Sequence, residues 1–177
     1  PVAAAARLVG EHDTRMWRVL HHWVEQARER ADYKDVSRVA IDETAAKRGH
    51  DYVSLFVDID QRRVLFVTEG RGADTVEAFA DDLEAHNGDA SRIKQVCIDM
   101  SAAFSKGVTD NLTEAEITFD KFHAVKLVND AVDKVRRAEA KGRPELKRSR
   151  YLWLRNEPSL SAEGRANLQA LTRLHLE

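Results

Sequence analysis

The sequence predicts an α/β fold: a mixed five-stranded sheet flanked by helices, with an N-terminal helical segment and a C-terminal helical extension. Three observations point there. Between Val36 and Phe119, short runs of β-favouring residues are separated first by tight turns and then by helix-length segments. The chain on either side of that region reads as helix, and the tail lacks a strand. A length of 177 residues, 43% hydrophobic and 33% charged, suits one globular domain plus an appendage and excludes a disordered chain or a membrane protein.

Taken in order, Val2 to Val9 is Ala-rich and ends at Gly10, whose tolerance of positive φ suits a helix end. Asp13 is positioned to cap a second helix, in which Trp17, Leu20, Val24 and Ala27 recur at helical spacing. Helix, three-residue turn and helix is the pattern of a helix-turn-helix, with Thr14, Arg15 and Arg18 near the start of its recognition helix. An ordinary helical hairpin has the same pattern. Too little chain precedes Gly10 for a complete DNA-binding domain, so the sequence is expected to begin inside one.

The β region starts with Val39-Ala40-Ile41, followed by Tyr52 to Val57 and Arg63 to Val67, with Asp58 to Arg62 as a hairpin turn. Asp74 to His86 reads as a helix with Val76, Phe79, Ala80 and Leu83 on one face, Ile93 to Ile98 as a fourth strand, and Ser101 to Asp110 as a helix. Ala115 to Phe119 is a fifth strand and Phe122 to Ala140 a long helix. The order β-β-β-α-β-α-β-α, hairpins first and crossovers after, is the ribonuclease-H-like arrangement, and it also fits other α/β folds. Glu145 to Leu154 reads as a basic helix and Ser161 to Leu176 as the start of another. Three segments follow: 1–31, the tail of a helix-turn-helix; 32–140, the sheet-bearing core; and 141–177, the start of a helical insertion.

No apolar run approaches a membrane span and the amphipathic start is not a signal peptide, so a cytoplasmic protein with no membrane partner is expected. The single Cys97 excludes an internal disulfide and a cysteine-rich zinc site, and its strand neighbours Val96 and Ile98 suggest a buried thiol. The formal net charge of −2 is unevenly spread. Residues 69–120 hold four Lys/Arg against twelve Asp/Glu, and residues 121–155 hold eleven Lys/Arg against four Asp/Glu. An acidic stretch feeding a basic one is what a metal site beside a phosphate-binding surface requires, and a solvated helix of mixed charge reads the same way.

Asp42 and Asp99 carry the chemistry. Each follows a short apolar strand, Val39-Ala40-Ile41 or Val96-Cys97-Ile98, and so leaves the sheet at a strand's carboxyl end, where ligands collect in α/β sheets. If those strands are adjacent and parallel, the two carboxylates converge and call for a cation between them. Oxygen ligands with open positions suit Mg²⁺ or Mn²⁺, and two such ions about 4 Å apart serve in-line phosphoryl transfer. The alternative is that each aspartate only caps the segment after its strand. Glu43 should point to the opposite side from Asp42, in a supporting role. Lys47, Arg48 and His50, in the turn before the second strand, are candidates to hold a phosphate, and Asp120 and His123 are supporting candidates after the fifth strand.

The stretches Ile41-Asp42-Glu43-Thr44, Lys47-Arg48-Gly49-His50-Asp51-Tyr52, Ile98-Asp99-Met100-Ser101 and Phe119-Asp120-Lys121-Phe122-His123, in that order and spacing, resemble the catalytic-core motifs of ISL-three family insertion-sequence transposases. The resemblance extends over most of residues 1–160, including Val135-Arg136-Arg137 at the end of the long helix. It implies a DNA transposase that uses two aspartates and a glutamate to bind divalent metal and to cut and join DNA strands. By the resemblance Asp42 and Asp99 match the two aspartates. The family's glutamate, which follows a helical insertion, and its cysteine-rich amino-terminal segment have no match here. A fragment inactive alone is therefore expected.

The implied partners are double-stranded DNA, as transposon ends and target, and further copies of the chain. Arg15, Arg18, Lys47, Arg48, His50, Arg136 and Arg137 are the candidate DNA contacts, and the protein would be nucleoid-associated when bound. Two other functions remain open: a ribonuclease-H-like nuclease that only hydrolyses, and a catalytically dead DNA-binding regulator.

Overall fold

The computed structural model describes residues 1–46, 49 and 51–173 and contains the expected mixed sheet. Its strands are β1 (Arg38–Ala45), β2 (Tyr52–Asp58), β3 (Arg63–Glu69), β4 (Gln95–Ile98) and β5 (Glu116–Phe119), in the order β3-β2-β1-β4-β5. The first three pair antiparallel, as hairpin connections require, and β4 pairs parallel to β1 after a helical crossover. By internal packing the chain divides into Pro1–Thr118 and Phe119–Glu177, a division distinct from the functional segments above.

In the first unit, alternation along the strands builds one buried face. Val39 and Ile41 of β1, Phe56 of β2, and Val96 and Ile98 of β4 are all buried. Against them pack Val76, Phe79 and Leu83 of α3 (Asp74–Ala85) and Phe104 and Val108 of α4 (Ala102–Asn111). The Phe56 and Phe79 rings stack with centroids 4.4 Å apart, and Phe66 leans on both. Helices α3 and α4 approach so closely at Gly107 that a Cβ there would lie 2.9 Å from the Ala73 carbonyl oxygen, which a side chain cannot occupy. The β2–β3 turn is organised by the buried Asp58, whose Oδ1 accepts from the backbone N–H groups of Asp60 and Gln61 at 2.9 and 3.0 Å.

Before the sheet, α1 (Val2–Val9) ends at Gly10 with φ 70°, as expected, and packs against α2 (Asp13–Glu29). The α2 cap differs from expectation. His12 sits in extended backbone and its Nδ1 accepts from Thr14 N–H at 3.3 Å, while Asp13 is already the first helical residue and faces the positive end of the helix dipole. Near its other end, Arg28 reaches the core. It donates to Asp82 of α3, to the Leu65 carbonyl of β3 at 2.6 Å and to the Tyr33 hydroxyl at 2.8 Å. Tyr33 in turn donates to the same carbonyl at 2.8 Å, and His86 Nδ1–H donates to the Asp82 carbonyl at 2.7 Å. Asp82 shows only 14% of its side chain to solvent, so loss of Arg28 strands a carboxylate. Arg28→Met keeps the aliphatic stem and removes the donors, and is expected to cost about 1–3 kcal/mol in urea unfolding. A change within about 0.5 kcal/mol would show the network to be dispensable.

Three further expectations change. β1 does not stop at Ile41: it continues through Asp42, Glu43 and Thr44 to Ala45, because β2 supplies partners as far as Ala45↔Tyr52 and tertiary pairing outweighs local propensity. Cys97 is half-buried, pointing to the opposite face from Val96 and Ile98. In the second unit, α5 (Lys121–Glu139) is as expected, but Glu145 to Leu154 is not one helix. A 3₁₀ turn at Pro144–Leu146 is followed by Arg148 at φ 64°, which no helix interior accommodates, and α6 (Arg150–Leu154) starts only after it. Then α7 (Ala162–Thr172) is capped by Ser161, whose hydroxyl accepts from Gly164 N–H at 3.1 Å. The expected end of that helix, Leu174 to Leu176, lies outside the described residues.

Candidate active site

The β1–β4 register sets the site. Arg38 faces Gln95, Val39 faces Val96 and Ala40 faces Cys97. The pairing ends there and β4 ends at Ile98; the same offset continued two residues further would set Asp42 opposite Asp99. Adjacent strands run about 4.8 Å apart. Alternation along β1 puts Asp42 on the side of Ala40, away from the buried Val39 and Ile41, and the same alternation continued past the end of β4 would put Asp99 on the side of Cys97. Asp42 is exposed and Asp99 half-buried, so both carboxylates have access to solvent.

Each aspartate is oriented locally. Asp42 Oδ1 accepts from Glu43 N–H at 2.8 Å. Asp99 Oδ1 accepts from Ser101 N–H at 2.9 Å, and Ser101 caps α4 by accepting from Phe104 N–H at 3.4 Å. The capping expected as the alternative to a metal site is thus present at Asp99, and it engages one oxygen of the carboxylate. Among the described residues no group of three or more His, Cys, Asp or Glu is arranged to hold a metal ion. The donor set in hand is a pair of oxygen ligands. That pair fits a hard divalent cation that completes its shell from water and substrate phosphate.

Glu43 points to the other side of β1, as expected. It is half-buried and lies 3.5 Å from Arg71, whose guanidinium sits 4.2 Å from the centroid of the Tyr52 ring. Its partner is therefore a loop arginine. Lys47, Arg48 and His50 lie outside the described residues.

In the second unit, Asp120 caps α5 by accepting from Phe122 N–H at 2.9 Å, and its other oxygen lies 2.9 Å from His123 Nδ1. Those bonds, the backbone one first, hold the Asp120 carboxyl below the ordinary carboxylate value. Asp120 and His123 thus form a local helix-start pair.

The candidate DNA contacts separate by environment. Arg15 is held at 3.0 Å by both carboxylate oxygens of Glu11, whereas Arg18 is exposed on α2, a helix with no buried residue. Arg136 is an interior residue with 12% of its side chain exposed, bound to Asp133 at 2.7 Å and to the Leu146 carbonyl at 3.0 Å. Arg137 is 69% exposed and 3.0 Å from Asp133. Arg150, which sequence reasoning passed over, approaches the same carboxylate at 3.7 Å. The hydrogen bond from Arg136 first, and then the three guanidinium charges, hold the Asp133 carboxyl below its usual range. An Asp three and four residues before an Arg-Arg pair on one helix was the available signal.

A family profile described as Transposase, of the ISL-three type, matches residues 39–177. The transposase for insertion sequence element IS1001 of Bordetella parapertussis is 35% identical over 148 residues, 79% of this chain and 36% of that protein. The transposase for insertion sequence element IS1557 of Mycobacterium tuberculosis is 28% identical over 170 residues, 96% of this chain and 36% of that protein. The chain therefore spans about a third of the length of these relatives. Two solved structures are similar at lower levels. The HTLV-2 integrase catalytic core domain in complex with magnesium has TM-score 0.38 and 13% identity over 80% of this chain and 89% of that one. A simian T-cell lymphotropic virus intasome has TM-score 0.36 and 14% identity over 100% and 66%. Neither likeness is close enough to argue from, and the fold stands on its own strand order. The match over residues 39–177, which takes in β1 with Asp42 and the β4 end with Asp99, makes this chain a member of the ISL-three family of transposases.

Proposed function

We propose that the chain is the core of a DNA transposase that cleaves phosphodiester bonds at transposon ends and joins the freed strands to target DNA, with Asp42 and Asp99 as its acidic pair. What supports this reading is the common offset of the parallel β1–β4 register, which, continued two residues past Ala40↔Cys97, would set Asp42 opposite Asp99. When bound there, Mg²⁺ or Mn²⁺ supplies Lewis-acid stabilisation of phosphate charge. The part of this chain is to present the charge that binds the cation and to hold it still. Asp42 does so from a strand paired with β2, and Asp99 from the capped start of α4. Neither aspartate forms a bond to the substrate, so no covalent enzyme intermediate is involved.

The experiment is to incubate a full-length protein carrying this core with labelled transposon-end duplex and a target plasmid. Strand-transfer products support transposition; cleavage without joining would reduce the reading to a hydrolytic nuclease, and absence of both would overturn it. We also propose that α2 meets DNA phosphates, with Arg18 ahead of Arg15 because Glu11 already neutralises Arg15. Arg18→Ala should lower the slope of log affinity against log salt by about 0.9, one phosphate contact, and Arg15→Ala by less. Equal slopes for Arg18→Ala and the parent would make α2 a purely structural helix. Among the described residues no helix is long and apolar enough to cross a membrane.

A further inference from the structure

The second unit concentrates positive charge on a fixed scaffold. Asp133, 4% exposed, is the shared carboxylate of Arg136, Arg137 and Arg150, at 2.7, 3.0 and 3.7 Å. One negative charge facing three positive ones leaves two in surplus. Arg136 has only 12% of its side chain exposed and is bonded to the Leu146 carbonyl, so the surplus is presented by Arg137 and Arg150, whose side chains are 69% and 51% exposed. Beside them lies Tyr151, 62% exposed, with the guanidinium carbons of Arg150 and Arg155 at 5.8 and 5.6 Å from its ring centroid. Arg137, Arg150 and Arg155 are therefore held by a buried carboxylate or an aromatic face before any ligand arrives. Guanidiniums so held lose little freedom on binding, and their planar fork matches phosphate oxygens.

We propose that Arg137, Arg150 and Arg155, set around Asp133 and Tyr151, form a platform that binds the phosphate backbone of double-stranded DNA without regard to sequence. This rests on the reading of the chain as a DNA-acting protein and adds a second, separate DNA contact. Asp133 is its positioning residue: its charge fixes Arg137 and Arg150 while its own burial keeps it from facing the DNA. Arg136, despite lying beside Arg137 in sequence, is part of the scaffold and not a contact.

The test uses the 177-residue chain and a fluorescent duplex of arbitrary sequence, with anisotropy titrations at several salt concentrations. The triple variant Arg137→Gln, Arg150→Gln, Arg155→Gln should keep the parent's circular dichroism spectrum. Its slope of log affinity against log salt should fall by about 2–3, at roughly 0.9 per phosphate contact, equally for two unrelated duplex sequences. Arg137→Lys with Arg150→Lys keeps the charge and should recover most of the slope. If the parent binds DNA and the triple variant matches it, the platform is overturned while the DNA reading stands. If the parent does not bind the duplex at any salt concentration, the platform is overturned whatever the cleavage assay on the full-length protein returns. Competition by polyglutamate as strong as by unlabelled duplex would reassign the surface to an acidic protein partner.

Discussion

Replacing Asp42 or Asp99 by asparagine in a full-length protein carrying this core should reduce DNA strand cleavage in Mg²⁺ or Mn²⁺ by roughly a thousandfold or more. Loss of several kcal/mol of phosphate-charge stabilisation, at about 1.4 kcal/mol per factor of ten, gives that magnitude. Asparagine keeps the shape of the side chain and can still accept the local hydrogen bonds from Glu43 N–H or Ser101 N–H, so folding should be unchanged. Neither residue is part of the buried core, so lost packing is not an alternative cause. Gel assays on folded, purified variants decide the matter, and full cleavage by either one would sink the proposed pair. Glu43→Gln should be milder, since Glu43 faces Arg71 on the opposite side of the strand.

The largest effect on stability is expected at Phe79. Its ring is fully buried and stacked on Phe56, and Phe66 contacts both, so Phe79→Ala removes one member of a three-ring cluster. Large-to-small changes of this kind cost about 3–5 kcal/mol, against roughly 5–15 kcal/mol for a whole domain. Urea denaturation followed by circular dichroism should show the midpoint falling steeply or the domain failing to fold. A loss below about 1 kcal/mol would mean that the cluster refills the space and that the core is held elsewhere.

Much of this was legible in the sequence because the core strands alternate cleanly. Val39 and Ile41, then Val96 and Ile98, announce both a strand and the face it buries, and Val76, Phe79 and Leu83 announce the helix that covers them. Asp42 and Asp99 could be picked out from their place after such runs. What escaped was set by partners distant in sequence. The extension of β1 through Asp42 to Ala45 depends on β2, and in Asp-Glu-Thr-Ala only Thr44 itself favours a strand. The break between Glu145 and Leu154 depends on the positive φ of Arg148, a conformation arginine rarely takes and composition does not signal. Arg136 and Arg137 are indistinguishable as letters; only the geometry around Asp133 buries one and exposes the other.

The extra length of β1 makes the two aspartates unequal jaws. β1 runs on to Ala45 in register with β2, whereas its pairing with β4 ends at Ala40↔Cys97. Asp42 is thus the stiff jaw, clamped along the β2 side by a ladder that extends past it in both directions. Asp99 is the compliant jaw, carried on the short link between β4 and α4 and steadied by the Ser101 cap. In the proposed acidic pair, Asp42 is therefore the position fixed by a strand ladder and Asp99 the one fixed by a hydrogen-bonded turn.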